Sequence, residues 1–311
     1  VLRFSHSDQV SGARDAAAHF FARKVDLLTS GRYRVDVFCC SKLGNDPKSI
    51  EQIALGNVDF TVSATGSYAV QFPTLNLAIF PFLVDNYVQG WKLYDESPWM
   101  LAQLDKAPAK GFRVLATWEA GFRSMTTKEP LTSPADAKGK KLRTFPNEMM
   151  RWKLEDMGFS VVIMPLPEVY LAIQQGAVSG QENPIDTIHA NKFYEVAPNV
   201  TLTQHVYSPI PLTISEKTWQ KLSPADREAA ERATRAPWGG GHLTRYAATP
   251  AVPRAQRLEV AVLKAVANLW VMQREGAEDV YSRQRQVIHE LVAAIRLRAP
   301  DVLDPVFRAA W

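Results

Sequence analysis

Leu2-Arg3-Phe4-Ser5, an amphipathic run over 13–30, Tyr33-Arg34-Val35-Asp36-Val37-Phe38-Cys39, a second run over 47–55, and Asp59-Phe60-Thr61-Val62-Ser63 decide the fold class. The first segment reads as a short strand. Ala13, Ala16, Ala17, Phe20, Val25 and Leu28 recur with the period of a helix, and Gly31 supplies a left-handed stop. Residues 33–39 alternate with a period near two, residues 47–55 form a short helix before Gly56, and 59–63 is again a strand. Strand–helix–strand–helix–strand in this order predicts an α/β domain with a mostly parallel sheet.

Working outward, residues 86–106 read as one aromatic-rich helix and 114–118 as a strand. Ser133-Pro134-Ala135-Asp136 has a cap residue, a proline at the first helical position and an acid at the third. Residues 141–145 alternate, which places Lys141, Arg143 and Phe145 on one strand face. A helix over 147–157, a strand over 160–164 and a helix over 167–175 follow, then two strand-like runs within 200–214. Ser223-Pro224-Ala225-Asp226 opens a helix to about 236, Pro237 to Gly241 breaks it, and long helices cover roughly 253–275 and 277–297. The strand-rich blocks at 1–118 and 140–165 predict two α/β lobes, each with its own sheet, joined by more than one crossing around a cleft. One continuous sheet through residues 1–220 would contradict that arrangement. The expected boundaries are 1–120 with about 208–245 for lobe I, and 121–207 with about 246–311 for lobe II.

Composition bounds the function. At 311 residues, 46% hydrophobic and 22% charged, the chain has the size and make-up of a two-domain globular protein. Its net charge of +4 is scattered, which argues against a nucleic-acid partner and suits a small anion. No apolar run approaches the roughly 18 residues of a membrane span. The chain opens on Val1 rather than Met, so a removed signal peptide is expected. Cys39 and Cys40 are adjacent and read as small buried hydrophobes at a strand end. There is no Cys-x-x-Cys, no dinucleotide or phosphate-binding glycine run and no nucleophile elbow. His289-Glu290 lacks a second histidine, and His6, His19, His189, His205, His242 and His289 show no metal-ligand spacing. No enzyme activity, cofactor or metal is expected.

Two arginines stand out. Arg123 lies in Trp118-Glu119-Ala120-Gly121-Phe122-Arg123, and Arg143 in Gly139-Lys140-Lys141-Leu142-Arg143. A guanidinium is a planar fork that binds a carboxylate bidentately, although a surface ion pair is the commoner fate of an arginine. Gln181-Glu182-Asn183-Pro184 reads as a turn whose Asn183 either meets a solute or only shapes the turn.

Leu43-Gly44, Pro81-Phe82-Leu83, Gly121-Phe122-Arg123, Lys138 to Arg143, the long run Glu168 to Pro184, and Lys192-Phe193-Tyr194-Glu195-Val196 together resemble the DctP-type solute-binding proteins of tripartite ATP-independent periplasmic (TRAP) transporters. The resemblance implies a monomeric two-lobe receptor in the periplasm of a Gram-negative bacterium. A long spine helix would run along both lobes, and TRAP membrane subunits would receive the solute. It implies that Arg143 clamps a solute carboxylate, that Asn183 reaches the solute, that Arg123 adds a contact, and that Leu166 stands where relatives place an aromatic. Glu119 would balance Arg123 or bind a solute hydroxyl, unless it simply faces solvent. Phe72, Trp118, Phe145, Tyr207 and His6 are candidate pocket walls, with core packing as the alternative for each. The solute expected is a small organic acid: an aldonate, a uronate, or a hydroxy or keto acid. Sialic acid fits Leu166 less well. A sensor for a membrane signalling receptor, or an enzyme using the same cleft, are the other readings. An open cleft would leave Arg143 wet. Ser179 stands where the family usually has Asp, and Pro237 to Gly241 interrupts the spine region.

Overall fold

In the computed structural model, residues 1–10 and 12–234 are described. The opening alternation forms as read: β1 (Leu2–Ser5), α1 (Ala13–Leu28), β2 (Val35–Phe38), α2 (Asp46–Leu55) and β3 (Phe60–Val62). β1 pairs in parallel with both β2 and β3. Asn45 caps α2 by accepting the Lys48 N–H, and Pro47 sits in its first turn, where a missing donor costs nothing.

The helix expected over 86–106 is instead broken. α3 (Tyr87–Trp91) runs into a π-helical turn at Lys92–Glu96, and α4 (Pro98–Leu104) starts afresh with Ser97 as its cap. Pro98 cannot donate to a continuing helix, so a new start is forced there. Two 3-10 segments, Thr65–Val70 and Pro73–Ile79, lie outside the sequence reading. β4 (Phe112–Thr127), β5 (Lys141–Thr144), α5 (Glu148–Asp156), β6 (Ser160–Ile163), α6 (Val169–Gln174), β7 (Gly180–Pro184), α7 (Ile185–Ala190) and α8 (Phe193–Val196) follow. Then come β8 (Asn199–Ser215), α9 (Glu216–Lys221) and α10 (Pro224–Ala233). Residues 181–184 are thus a strand rather than a turn, and the two runs within 200–214 are one strand.

The strands form one sheet in the order β2-β1-β3-β8-β4-β7-β5-β6. This corrects the expectation of two separate sheets. β4 and β8, 16 and 17 residues long, pair antiparallel along their whole length and carry the hydrogen-bond ladder from one half to the other. The sheet is mixed rather than mostly parallel: β3–β8 and β4–β7 are antiparallel, whereas β5 is parallel to β6 and β7.

The fold is nevertheless two-lobed, because each half of the sheet has its own cores. In the first, Phe4, Phe21, Phe60 and Trp118 pack ring on ring, and a second cluster gathers Tyr68, Met100 and Phe112. In the other, Leu142, Leu154 and Phe159 form one cluster and Val169, Ile173 and Phe193 another. Each such side chain contributes about 1.5–3 kcal/mol by burial. The β4–β8 register shifts at three places: at Val114/Ala116 within the first lobe, and between the halves at Glu119/Phe122 and Arg123/Met125. Gly121 sits at the Glu119/Phe122 shift with φ +90°, a conformation a side chain would strain. The expected boundaries near 120 and 207 fall in the middle of these two strands. The spine helix, the break at Pro237 to Gly241 and the lobe II segment at 246–311 lie outside the described residues.

β7 is held tightly against β4. A Cβ on Gly180 would collide with the Thr126 carbonyl oxygen and lie 2.8 Å from the Thr127 methyl. Gly180→Ala is expected to destabilise the fold by about 1–3 kcal/mol, read as a lower denaturation midpoint at unchanged m-value. A midpoint equal to wild type would show that the ladder yields at this point.

Candidate functional site

Arg143 is the third residue of β5, opposite Gln181 of β7 and Val162 of β6. Its side chain turns inward and is only 1% exposed. Nε and Nη2 both donate to the Met164 carbonyl, at 3.0 and 2.7 Å, so the guanidinium ties β5 to the chain leaving β6. No carboxylate among the described residues pairs with it. Burial pushes its pKa down to about 10; the nearby Arg123 charge adds to this and Glu182 opposes it. It stays charged at neutral pH. Backbone and neighbouring side chains enclose it, in a structure whose cavity walls are bonded together; the wet state expected of an open cleft is not the one seen.

Arg123, on β4, lies opposite Pro184 of β7 and grips Glu182 bidentately, Nε to Oε2 at 2.5 Å and Nη2 to Oε1 at 2.9 Å. Nη2 also donates to the Glu182 carbonyl and to Asn183 Oδ1, and the guanidinium lies 5.0 Å from the Phe145 ring centre. Glu182 is fully buried and accepts from Thr144 at 2.7 Å, with His205 Nε2 3.2 Å away. Burial alone would push this carboxyl up, but the Arg123 charge and the bonds from His205 and Arg123 hold it well below the usual range. Asn183 donates to Gln181, which donates to Thr126. Nearby Lys153 of α5 is buried, its Nζ 2.6 Å from Met150 Sδ, and burial pushes its pKa down to about 7.

Arg123, Arg143, Phe145, Leu166 and Asn183 all line one small cavity of about 40 Å³. The facing wall comes from the first lobe: Ser7 beyond β1, Arg14 of α1, Asn45 and Asp46 at the start of α2, and Ser67. Ser7 donates to Asp46 at 2.5 Å and accepts from Arg14 at 3.2 Å. Direct bonds hold the walls together: Asn147 donates to the Gly66 carbonyl and to Asn76, and Asn191 donates to Asp8. The sequence reading missed this wall. The available signal was its position at the carboxyl ends of parallel strands, where α/β sheets place their ligands. A larger, more open groove of about 690 Å³ shares Asn45, Pro47 and Ser67 but contains no arginine. The converging donors belong to the smaller cavity.

Five of the candidate site residues, four expected as walls and Glu119, do not line it. Phe72 and Tyr207 pack in the cluster with Phe112, and Trp118 stacks on Phe4. Large rings gain most by full burial, and these take it. Glu119 is half-buried and accepts from Trp91 Nε1 at 2.9 Å and the Tyr207 hydroxyl at 3.1 Å, so it serves the first lobe rather than Arg123. His6 is fully buried against Asp15, and burial pushes its pKa down. Cys39 and Cys40 are both free thiols, the first buried. Among the described residues no group of His, Cys, Asp and Glu is arranged to hold a metal, and no helix is long and apolar enough to cross a membrane.

Residues 4–236 match the family described as Bacterial extracellular solute-binding protein, family 7 (DctP). The chain belongs to this family. A "Solute-binding protein" of Verminephrobacter eiseniae is 34% identical over 74% of this chain and 68% of its own. The solved TRAP periplasmic solute-binding protein of Polaromonas sp. JS666, bound to D-erythronate, is 35% identical with a TM-score of 0.71, covering 75% of this chain and 77% of its own. The sugar acid binding protein of Advenella mimigardefordensis, in complex with galactonate, is 33% identical with a TM-score of 0.72 over 75% of each chain. This DctP-family protein is therefore a TRAP-type solute-binding protein. A second family, the Phosphohydrolase-associated domain, matches residues 251–311.

Two outcomes follow for this DctP-family protein. Arg123→Ala leaves the Glu182 carboxylate buried without its main partner, and a loss of about 3–5 kcal/mol in unfolding free energy is expected. Denaturation like wild type would show the pair to be dispensable. Lys153 has a folded pKa below its unfolded value of about 10.4, so between about pH 7 and that value the unfolded chain binds more protons and stability rises with pH. Lys153→Met should be the more stable protein at pH 7 and should flatten that rise. Parallel pH–stability curves would refute the assignment.

Proposed function

We propose that this DctP-family protein captures a small organic acid anion, a sugar acid of the aldonate or uronate kind or a small hydroxy or keto acid, in the cavity between its lobes. It delivers the acid to TRAP membrane subunits in the periplasm. The observation that carries the reading is Arg143: a buried guanidinium at the cavity with no carboxylate partner of its own. A buried cation without a counter-charge favours an anion strongly, and a carboxylate matches its fork. Asn183 adds polar groups beside it, and Arg123 shapes the floor while held by Glu182. The Phe145 ring and the Leu166 side chain offer apolar wall for a carbon chain. The relatives with bound galactonate and D-erythronate support a sugar acid. A cavity of about 40 Å³ must widen to admit one, so binding includes movement of its walls.

The test is calorimetric titration with a panel of sugar acids, hydroxy acids, neutral sugars and amino acids. Arg143→Ala is expected to weaken the best acid by about 2–5 kcal/mol, roughly 30-fold to several-thousand-fold, with Arg143→Lys toward the lower end because charge without the fork recovers part of the contact. Binding of neutral sugars but of no acid would defeat the proposal, as would unchanged affinity in Arg143→Ala.

A further inference from the structure

Two asparagines of the second lobe bond across to the first: Asn147 and Asn191. Asn191 meets Asp8, which also stands 3.8 Å from Arg14 of the cavity wall, so its bond is tied to the charges of the site. Asn147 is free of that tie. It sits between β5 and α5 and is only 7% exposed. Its Oδ1 accepts the Met150 N–H at 2.8 Å and so caps α5. Its Nδ2 donates at 3.0 Å to the Gly66 carbonyl and at 2.8 Å to Asn76 Oδ1. Ser, Thr or Asp would cap α5 as well, but only an amide adds two N–H donors to the cap.

The two ends of this contact belong to different lobes. Gly66 and Asn76 lie in the 3-10 segments Thr65–Val70 and Pro73–Ile79. Thr65 donates to the Pro209 carbonyl, Tyr68 bonds Thr213, and Tyr68 and Leu75 share a core with Phe112, all in the first lobe. On the other side, Leu154 of α5 packs with Leu142 and Phe159 in the second. Beside the amide, Met150 packs on Ile79 and Val206. A Cβ on Gly66 would stand 3.0 Å from the Phe145 ring, so the walls meet here with no room for a side chain. Asn147, Gly66 and Asn76 do not line the cavity, although their neighbours Phe145, Pro146 and Ser67 do.

We propose that Asn147 is a closure latch: its amide joins the lobes when the cavity shuts, and sets how long a solute stays without touching it. The inference rests on the reading of the cavity as a solute site whose walls part to admit the acid. When they part, Nδ2 exchanges two protein acceptors for water. Each such exchange changes an equilibrium constant by roughly two- to tenfold. The change favours the closed form equally for every solute, because no solute atom takes part, and affinity scales with the share of the chain that is closed. Arg143 selects the anion; Asn147 fixes how firmly any anion is retained.

The test is titration calorimetry with stopped-flow dissociation on the full chain, using the two tightest-binding acids of the same panel, with denaturation curves as the folding control. Asn147→Ser keeps the cap but is too short to reach the first lobe. It is expected to weaken both acids about tenfold, through faster dissociation. Asn76→Ala, on the facing lobe and away from α5, removes one acceptor and is expected to weaken both about threefold; it decides the matter if Asn147→Ser does not fold. Because the two changes remove a shared bond, the double variant should lose about tenfold rather than about thirtyfold. Unchanged dissociation in the folded variants, losses that differ between the acids by more than about threefold, or full additivity in the double variant would each overturn the latch. The carboxylate anchor would stand in all three cases, since Arg143→Ala tests it separately. Binding of no acid by the wild type would overturn the proposed function, and the latch with it.

Discussion

The bidentate pair between Arg123 and Glu182 is the contact on which the rest of the second lobe depends. It joins β4 to β7, and Glu182 is met in turn by Thr144 of β5 and His205 of β8. Four strands thus converge on one buried carboxylate. An ion pair removed from water stabilises a fold only when its remaining donors and acceptors are also satisfied, and here the Glu182 oxygens are. The cost of such a centre is that it tolerates no partial loss. Its benefit is a fixed register: β7 cannot slip by a residue without moving Glu182 out of reach and Asn183 away from the cavity.

That same pair also sets the charge Arg123 presents to the cavity. By neutralising Arg123 from behind, Glu182 leaves the positive character of the site to Arg143, which is bonded only to a backbone carbonyl. The two arginines stand on β4 and β5, with β7 between them, yet one is held by a carboxylate and the other only by a backbone carbonyl. The distinction lies in which of them a carboxylate can reach. Arg14 on the facing wall repeats the first case in a looser form, balanced by Asp8 and Asp46 at longer range.

Much of the fold could be read from the sequence, for identifiable reasons. The opening strands are short and apolar, and their helices carry caps such as Asn45 that mark each boundary locally. Arg123, Arg143 and Asn183 emerged through an extended resemblance that local pattern alone would not have supplied. Residues 181–184 misled because Gln, Glu, Asn and Pro are turn formers in isolation. They form a buried strand only because Thr126, Arg123, His205 and Thr144, all distant in sequence, satisfy them. β8 looked like two runs because Pro209 and Pro211 interrupt its alternation, yet both sit within its ladder with β4. Phe72, Trp118 and Tyr207 could not be divided between core and pocket by composition, since either place suits an aromatic ring. The wall formed by Ser7, Arg14 and Asp46 was invisible for a geometric reason: its parts come from separate loop and helix ends that only the folded sheet brings together.

The long strands β4 and β8 also limit how the two lobes can move. A pair of lobes tied by loose loops can swing, slide or twist independently. Here the tie is a hydrogen-bonded antiparallel ribbon, kinked at Gly121 and at the two register shifts between the halves. Sliding one lobe past the other would break that ladder along its length, and so would pulling them apart. Bending at the kink breaks little, because the ladder is already interrupted there. Among the described residues this ribbon is therefore softest in bending at the kink, comparable to a leaf spring clamped at both ends. The cavity lies beside the point of flexure, so a small angular change there is magnified at the distant rims of the lobes.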